Sequence, residues 1–590
     1  MTEVVIGSSP SPSPSPSPSP SPSPSPSTTS DGAATVRERV AGAGTRSWQA
    51  RWTWRAIFAG IAFVYLYFVP YYPSLNNPNE NSRVYQIRAA VELHKLSVNE
   101  QIERYGYVND LAVRDGKFYA GKAPGTTFIG IAIYGALRSW ERWRGHTTVS
   151  PFRLLYALRF AGCLVPTLVF LLWFRRYIGR VVQEEPIANA LTIVLAIGSM
   201  LLSYALIFVN HSLTAALAFG ALMATDAAAR KREFVGGARV PHASWLWLGL
   251  AGFLISATSA LDYALAPVSL VLIVWVPIRF GWSWASTVGA WAGASIPALW
   301  TGIYHKICWG GPFKLSINHL ANPQFATNQS KGVFGIVGPT RDSMYTLLVS
   351  PSKGLLYLSP VFAVALIATV YACIRSKRRK DAILSLVVVW MMIAYACSLT
   401  NWDAGWTVGP RYATVIVAFA VYSMALSWAA MGHAARRAWL PIAAAAGVLS
   451  AIAMTATSVL FPHLPPDYKN PVYEIIWPLW RDGITPYSFG LRWLKLTGHA
   501  AQAPFLVVFG LLIAYLVRVA TGWGLGPRWR SWWAAPLSGV VAIALVAGGV
   551  RVAKIARTDT PNLVQLGTAW LRNAIWYPPI PKAPVRPGRQ

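Results

Sequence analysis

From residue 55 onward the chain alternates between long apolar runs and short polar or basic segments. A hydrocarbon core of ~30 Å takes about 20 apolar residues per helix. Runs of that kind occupy 55–72, 152–174, 187–208, 211–229, 245–262, 264–279, 284–303, 355–374, 382–399, 409–431, 438–460, 504–520 and 534–552. The pattern predicts an all-α polytopic membrane protein with about thirteen transmembrane helices. A further run, 124–140, is also long enough to cross. If it crosses, the clusters Arg230–Lys231–Arg232 and Arg375 to Lys380 fall outside. If it stays at the outer interface, those clusters face the cytoplasm. So do Arg175–Arg176–Arg180, Arg436–Arg437 and Arg528–Arg530, as the positive-inside rule favours, and only Arg138, Arg142 and Arg144 lie outside. The second arrangement is adopted, with 124–140 an interfacial helix of a large first extracytoplasmic loop.

This sidedness gathers the unusual residues on one face. The outer loops are 73–150, 304–353 and 461–503, and the junctions Asn210–His211, Asp262–Tyr263 and Asn401–Trp406 share their side. The N-terminus is placed in the cytoplasm by Arg37, Arg39, Arg46, Arg51 and Arg55 before the first run. Residues 1–50 read as a disordered cytoplasmic tail. Ser9 to Ser27 alternates Ser and Pro, which favours extended polyproline II with no core. Residues 51–553 form the transmembrane domain, and 554–590 a C-terminal tail.

Composition agrees. Only 13% of the 590 residues are charged and mean hydropathy is +0.39, against about 25% charged in an ordinary soluble domain. The net charge of +30 sits in short clusters between apolar runs, which suits anionic lipid and argues against nucleic acid as a partner. The four cysteines show no metal-ligand spacing.

Six of the 22 acidic residues fall in Tyr71–Gly130. A long polar insertion between apolar spans is more often functional than idle. Glu80 stands just past the first span, with Arg83, Tyr85 and Arg88 following at helical spacing. A carboxylate there can take a proton from an acceptor hydroxyl; alternatively it is a helix N-terminal acid. Lys122 precedes Pro124 at a helix start, where free N–H groups favour anions; the plainer reading is a snorkelling interfacial lysine. Asp262 and Tyr263 end a span at the outer edge, where an ionisable group usually faces a cavity. His211 opens another span. Ser350-Pro351-Ser352-Lys353-Gly354 and the dense segment Asn401-Trp402-Asp403-Ala404-Gly405-Trp406-Thr407-Val408-Gly409-Pro410-Arg411-Tyr412 lie at further junctions. Arg411 offers a planar fork for phosphate oxygens, and Trp406 a flat face for sugar or lipid.

The order of these features resembles the GT-C superfamily of integral-membrane glycosyltransferases, in particular bacterial relatives of protein O-mannosyltransferases and of the lipid A aminoarabinose transferase. The likeness covers about residues 55–460. It implies a polyprenyl-phosphate sugar donor, an extracytoplasmic acceptor (lipid, glycan or protein), inversion at the anomeric carbon, and a place in a bacterial inner membrane. It implies Glu80 as the first-loop acid, acting as base or acceptor-orienting group, Asp262 as a second acidic group, and Lys122 and Arg411 as donor-phosphate contacts. Arg83, Tyr85, His211, Lys353, Trp406 and Tyr412, which share the outer face, are further candidate substrate contacts. Relatives often carry Asp-Glu or a lone Asp where this chain has Asn79-Glu80, which bears on the identity of the base. No cofactor is implied; a divalent metal stays open through Glu80, Asp262 and Asp403. The alternatives are a transporter or flippase of lipid-linked envelope precursors, against which the chain shows no repeated halves, and a non-catalytic partner in envelope glycan assembly.

Overall fold

The computed structural model describes residues 51–68, 77–234, 242–464, 468–522, 525, 529 and 532–555. The Ser-Pro tail, residues 69–76 that join the first span to its loop, and the C-terminal tail beyond 555 lie outside the described residues. Contacts divide the chain into Met1–Trp54 and Arg55–Gln590; the second unit carries everything below.

The unit is a helical membrane protein, and a helical segment stands at every span that the apolar runs predict. Eight helices among the described residues are long and apolar enough to cross a membrane, from Pro151–Val182 to Ala534–Arg551. Three more, Glu185–Ile197, Val361–Arg375 and Ile416–Ala430, are apolar but shorter. At ~1.5 Å rise per residue they are too short to cross a ~30 Å core unaided. Two of them continue through breaks. The run 187–208 is interrupted at Gly198–Met200 before Leu201–Ala205. The carbonyls freed there are met by Ser359 Oγ on Gly198 O and Thr455 Oγ1 on Ile197 O. Such breaks are tolerated at membrane depth where protein side chains satisfy the backbone. The run 355–374 likewise splits at Ser359–Pro360.

The tightest helix packing joins His242–Leu261 to Trp284–Trp309. A Cβ on Gly252 would lie 1.8 Å from Ala290 O, and one on Gly293 1.8 Å from Gly249 O. Small residues at these positions let the two backbones touch.

The first loop departs from an all-helical insertion. Helices Pro78–Leu93, Asn99–Tyr105 and Gly125–Trp143 enclose an antiparallel hairpin, Leu111–Arg114 with Lys117–Ala120. Its turn, Asp115-Gly116, takes positive φ at both residues (51° and 72°), the conformation that Asp-Gly favours. Ala321 N–H donates to Leu111 O, so the hairpin is tied to the next outer loop.

Candidate active site

Helix Pro78–Leu93 is unusual because its polar residues are buried. Asn77 caps it through its side chain, Pro78 opens it, and every residue from Asn79 to Ala89 is buried. A polar helix buried all round must pair its groups internally, and its side chains diverge to do so.

Glu80 points toward the span Pro151–Val182. Its Oε1 accepts from Arg159 Nε at 2.8 Å and from Phe208 N–H at 2.8 Å, and its Oε2 accepts from Arg159 Nη2 at 2.9 Å. Relative exposures are 0% and 1% for the two side chains. Burial opposes the charge on Glu80, but Arg159 outweighs it and holds the carboxyl below its ordinary pKa. His463, also buried, has its pKa pushed down to about 4 by desolvation. Glu80 thus accepts three hydrogen bonds and is neutralised by Arg159, an arrangement that disfavours its taking a proton.

Arg83, one turn on, points elsewhere. Its Nη1 donates to Asn79 O at 3.1 Å and its Nη2 to Asn210 Oδ1 at 3.0 Å. Asn210 Nδ2 in turn donates to Asp262 Oδ2 at 2.6 Å, and His211 Nδ1 stands 3.6 Å from the same oxygen. Asp262 Oδ1 accepts from Ala264 N–H at 3.2 Å.

The hairpin supplies the next two groups. The strand pair Leu111–Ala120 extends by one step, Gly121 N–H donating to Asp110 O at 2.9 Å. Asp110 and Lys122 therefore meet at its base, Lys122 Nζ lying 3.0 Å from Asp110 Oδ1. Helix Gly125–Trp143 then starts against the end of His242–Leu261. A Cβ on Gly125 would lie 2.7 Å from Ala260 O. Only glycine allows that approach, which brings the Lys122 segment beside Asp262.

The segment Asn401–Tyr412 supplies the last wall. Lys353 Nζ donates to Asp403 O and Gly405 O, fastening the loop. Arg411 sits in a short turn, Arg411–Ala413, before Ile416–Ala430, rather than opening the span itself. Its guanidinium donates to Tyr412 Oη at 3.1 Å and stacks on that ring. Tyr412 packs edge-on against His211 and Tyr395.

These pieces converge through the contacts Arg83–Asn210–Asp262–His211–Tyr412–Arg411, with Lys122 and Asp110 within electrostatic reach. Arg83, its pKa brought down to about 10 by burial, feels Asp262, Asp110 and Arg411. Burial opposes the charge on Arg411, but Tyr412 and Asp110 keep it above its ordinary value. Burial raises Asp262 above the usual carboxylate range against the pull of Arg83 and Arg411. The cluster thus holds three cationic side chains, Arg83, Lys122 and Arg411, against Asp110 and Asp262. Among the described residues Arg83 Nε, His211 Nε2 and Arg411 Nε are buried with no hydrogen-bond partner. The two arginine Nε–H donors left unpaired beside a surplus of positive charge suit an anionic ligand.

Of the residues singled out in the sequence, Arg83, Lys122, His211, Asp262, Arg411 and Tyr412 come together, and Lys353 braces the loop behind them. Tyr85 instead packs in an apolar cluster with Ala89, Val98, Val108 and Leu111. Trp406 is half-buried in the fastened loop. Asp110 and Asn210 join the cluster, although the sequence assigns neither a role. No group of three or more His, Cys, Asp or Glu among the described residues is placed to hold a metal.

No protein-family model matches the chain, and no curated protein does. Solved structures are similar to it over part of their length. One is the crystal structure of the Archaeoglobus fulgidus oligosaccharyltransferase tethered with an acceptor peptide containing the NVT sequon, at TM-score 0.41 and 14% identity, covering 70% of this chain and 56% of that one. Another is archaeal oligosaccharyltransferase AglB from the same organism with an inhibitory peptide and a dolichol-phosphate, at TM-score 0.40 and 12% identity, covering 70% and 56%. The chain spans little more than half the length of those proteins.

Proposed function

We propose that the protein is a membrane glycosyltransferase that moves a sugar from a polyprenyl-phosphate donor to an extracytoplasmic acceptor. The observation that carries this is the convergence of Arg83, Lys122 and Arg411, with unpaired buried donors, around Asp262. When the bond from the anomeric carbon to the phosphate oxygen breaks, the electron pair goes to that oxygen. Fixed cations in a partly dry pocket stabilise the developing charge. The acceptor hydroxyl attacks the opposite face of the sugar and passes its proton to Asp262, whose raised pKa suits a base. A single displacement inverts the anomeric carbon. Glu80 serves as a positioning residue: through Arg159 and Phe208 N–H it fixes the start of the helix that carries Arg83. The order of motifs that resembles GT-C enzymes supports the same reading.

The test is turnover by purified protein in lipid vesicles supplied with polyprenyl-phospho-sugars and acceptor extracts, read as release of polyprenyl phosphate. Wild type and Glu80→Gln, assayed below the latter's melting temperature, should release it, and Asp262→Asn should not. Movement of the donor across the bilayer without its cleavage would replace this reading with a flippase. Equal release by Asp262→Asn and wild type would remove Asp262 as the base.

A further inference from the structure

The outer loop carries an apolar turn that the site does not use. Val333, Phe334, Ile336 and Val337 are exposed by 67%, 53%, 37% and 52%, and Met344 and Tyr345 of the following helix Arg341–Leu348 by 46% and 53%. An exposed apolar patch on a folded surface marks a contact with something apolar. Phe334 takes positive φ (53°), as do Gly332, Gly335 and Gly338 (58°, 79° and 99°), so the fold holds the turn in one defined shape.

Two observations say what covers it. The first is its backbone. Val333 and Ile336 exchange hydrogen bonds with each other, and Gly335 N–H donates to Lys331 O. Phe334 O accepts from Gln329 Nε2, and Gly335 O from Thr400 N–H and Oγ1. These bonds meet within the protein the backbone groups that lipid would leave without partners. The second is its attachment. Ile336 bridges to Leu399, and Val337 N–H donates to Ser398 O at 2.8 Å. The turn is thereby fastened to the end of the apolar helix Arg379–Ser398, which is long enough to cross a membrane. Lys331 and Arg341, both exposed, flank it, as basic residues flank interfacial anchors.

We propose that the turn 333–337 with Met344 and Tyr345 is a membrane-inserted lip, seated in the headgroup–acyl boundary of the outer leaflet. The same spanning helix carries Tyr395, which packs against Tyr412. The lip therefore fixes the depth of the cationic cluster at the lipid surface, where a lipid phosphate is presented from the side. This claim is independent of the catalytic assignment.

The experiment uses the full chain in nanodiscs of anionic phospholipid, with Cys373→Ser removing the one native cysteine that is not buried. A nitroxide is placed at Val333→Cys, at Val337→Cys, or at Asp115→Cys on the hairpin tip as the aqueous reference. Oxygen should relax the labels at 333 and 337 more than a water-soluble nickel chelate does, with the order reversed at 115. Nickel relaxation at 333 and 337 equal to that at 115 would overturn the proposal. The two lip positions are read separately, so a fold defect in one variant leaves the other to decide.

Discussion

Replacing Glu80 by Gln tests how the first loop is held. In the native pair each carboxylate oxygen receives one Arg159 nitrogen, and Oε1 also receives Phe208 N–H. Glutamine keeps one carbonyl oxygen, which can still serve Phe208 N–H or Arg159 Nε. Its amide nitrogen then faces Arg159 Nη2, donor against donor, and the guanidinium remains buried without a counter-charge. Removing one partner of a buried ion pair costs about 3–5 kcal/mol. A buried pair replaced whole by apolar groups of similar volume is often neutral, so Glu80→Leu with Arg159→Met should recover most of the loss. Unfolding of the purified protein, followed by tryptophan fluorescence during denaturant titration in mixed micelles, reads both effects. Below its transition Glu80→Gln should retain donor cleavage. A variant as stable as wild type but inactive would refute the reasoning and return Glu80 to the role of base.

Three further outcomes follow from the geometry. Burial holds the native pKa of Asp262 above its ordinary value, so the folded state keeps this proton to higher pH than the unfolded chain. The group's contribution to stability is present at low pH and is lost as pH rises through the native value. Activity that needs the carboxylate runs the other way, rising with pH through a midpoint above the ordinary carboxylate range, and Asp262→Asn abolishes that limb. Gly125→Ala places a Cβ 2.7 Å from Ala260 O; overpacking of this kind costs about 1–3 kcal/mol, and separating Lys122 from Asp262 should lower kcat more than it raises KM. Lys353→Met frees the carbonyls of Asp403 and Gly405, so limited proteolysis should cut the 401–410 segment faster and donor KM should rise, although Lys353 does not belong to the cationic cluster.

The positions of the spans were legible because a long apolar run has few alternatives to a membrane helix. The interruption at Gly198–Met200 was not, since the partners that make it tolerable, Ser359 and Thr455, lie far along the chain. The cationic cluster was partly legible. Lys122, Arg411 and Asp262 each stood at a span junction, where a charge is costly unless used. Asp110 escaped notice because its role comes from the hairpin base. The signal was present in Asp115-Gly116 between two mainly apolar tetrapeptides, Leu111–Arg114 and Lys117–Ala120, which predicts a two-residue turn and places Asp110 near Lys122. The pairing of Glu80 was also signalled. Arg159 sits inside the apolar run 152–174, and an intramembrane arginine requires a partner. Tyr85 shared helical spacing with Arg88 but belongs to the face that covers the hairpin, which no spacing argument on one helix could reveal.

The central claim is that the cationic cluster takes the phosphate of a lipid, and binding of polyprenyl phosphate itself measures this without reference to the acceptor. Native mass spectrometry or a fluorescent-prenyl competition should give saturable binding to wild type. Loss of one charge-assisted contact, worth about 1.5–3 kcal/mol, should weaken it roughly 10- to 150-fold in Arg411→Met and in Arg83→Met, with the fold intact. Equal affinity of wild type and both variants for polyprenyl phosphate would contradict the account.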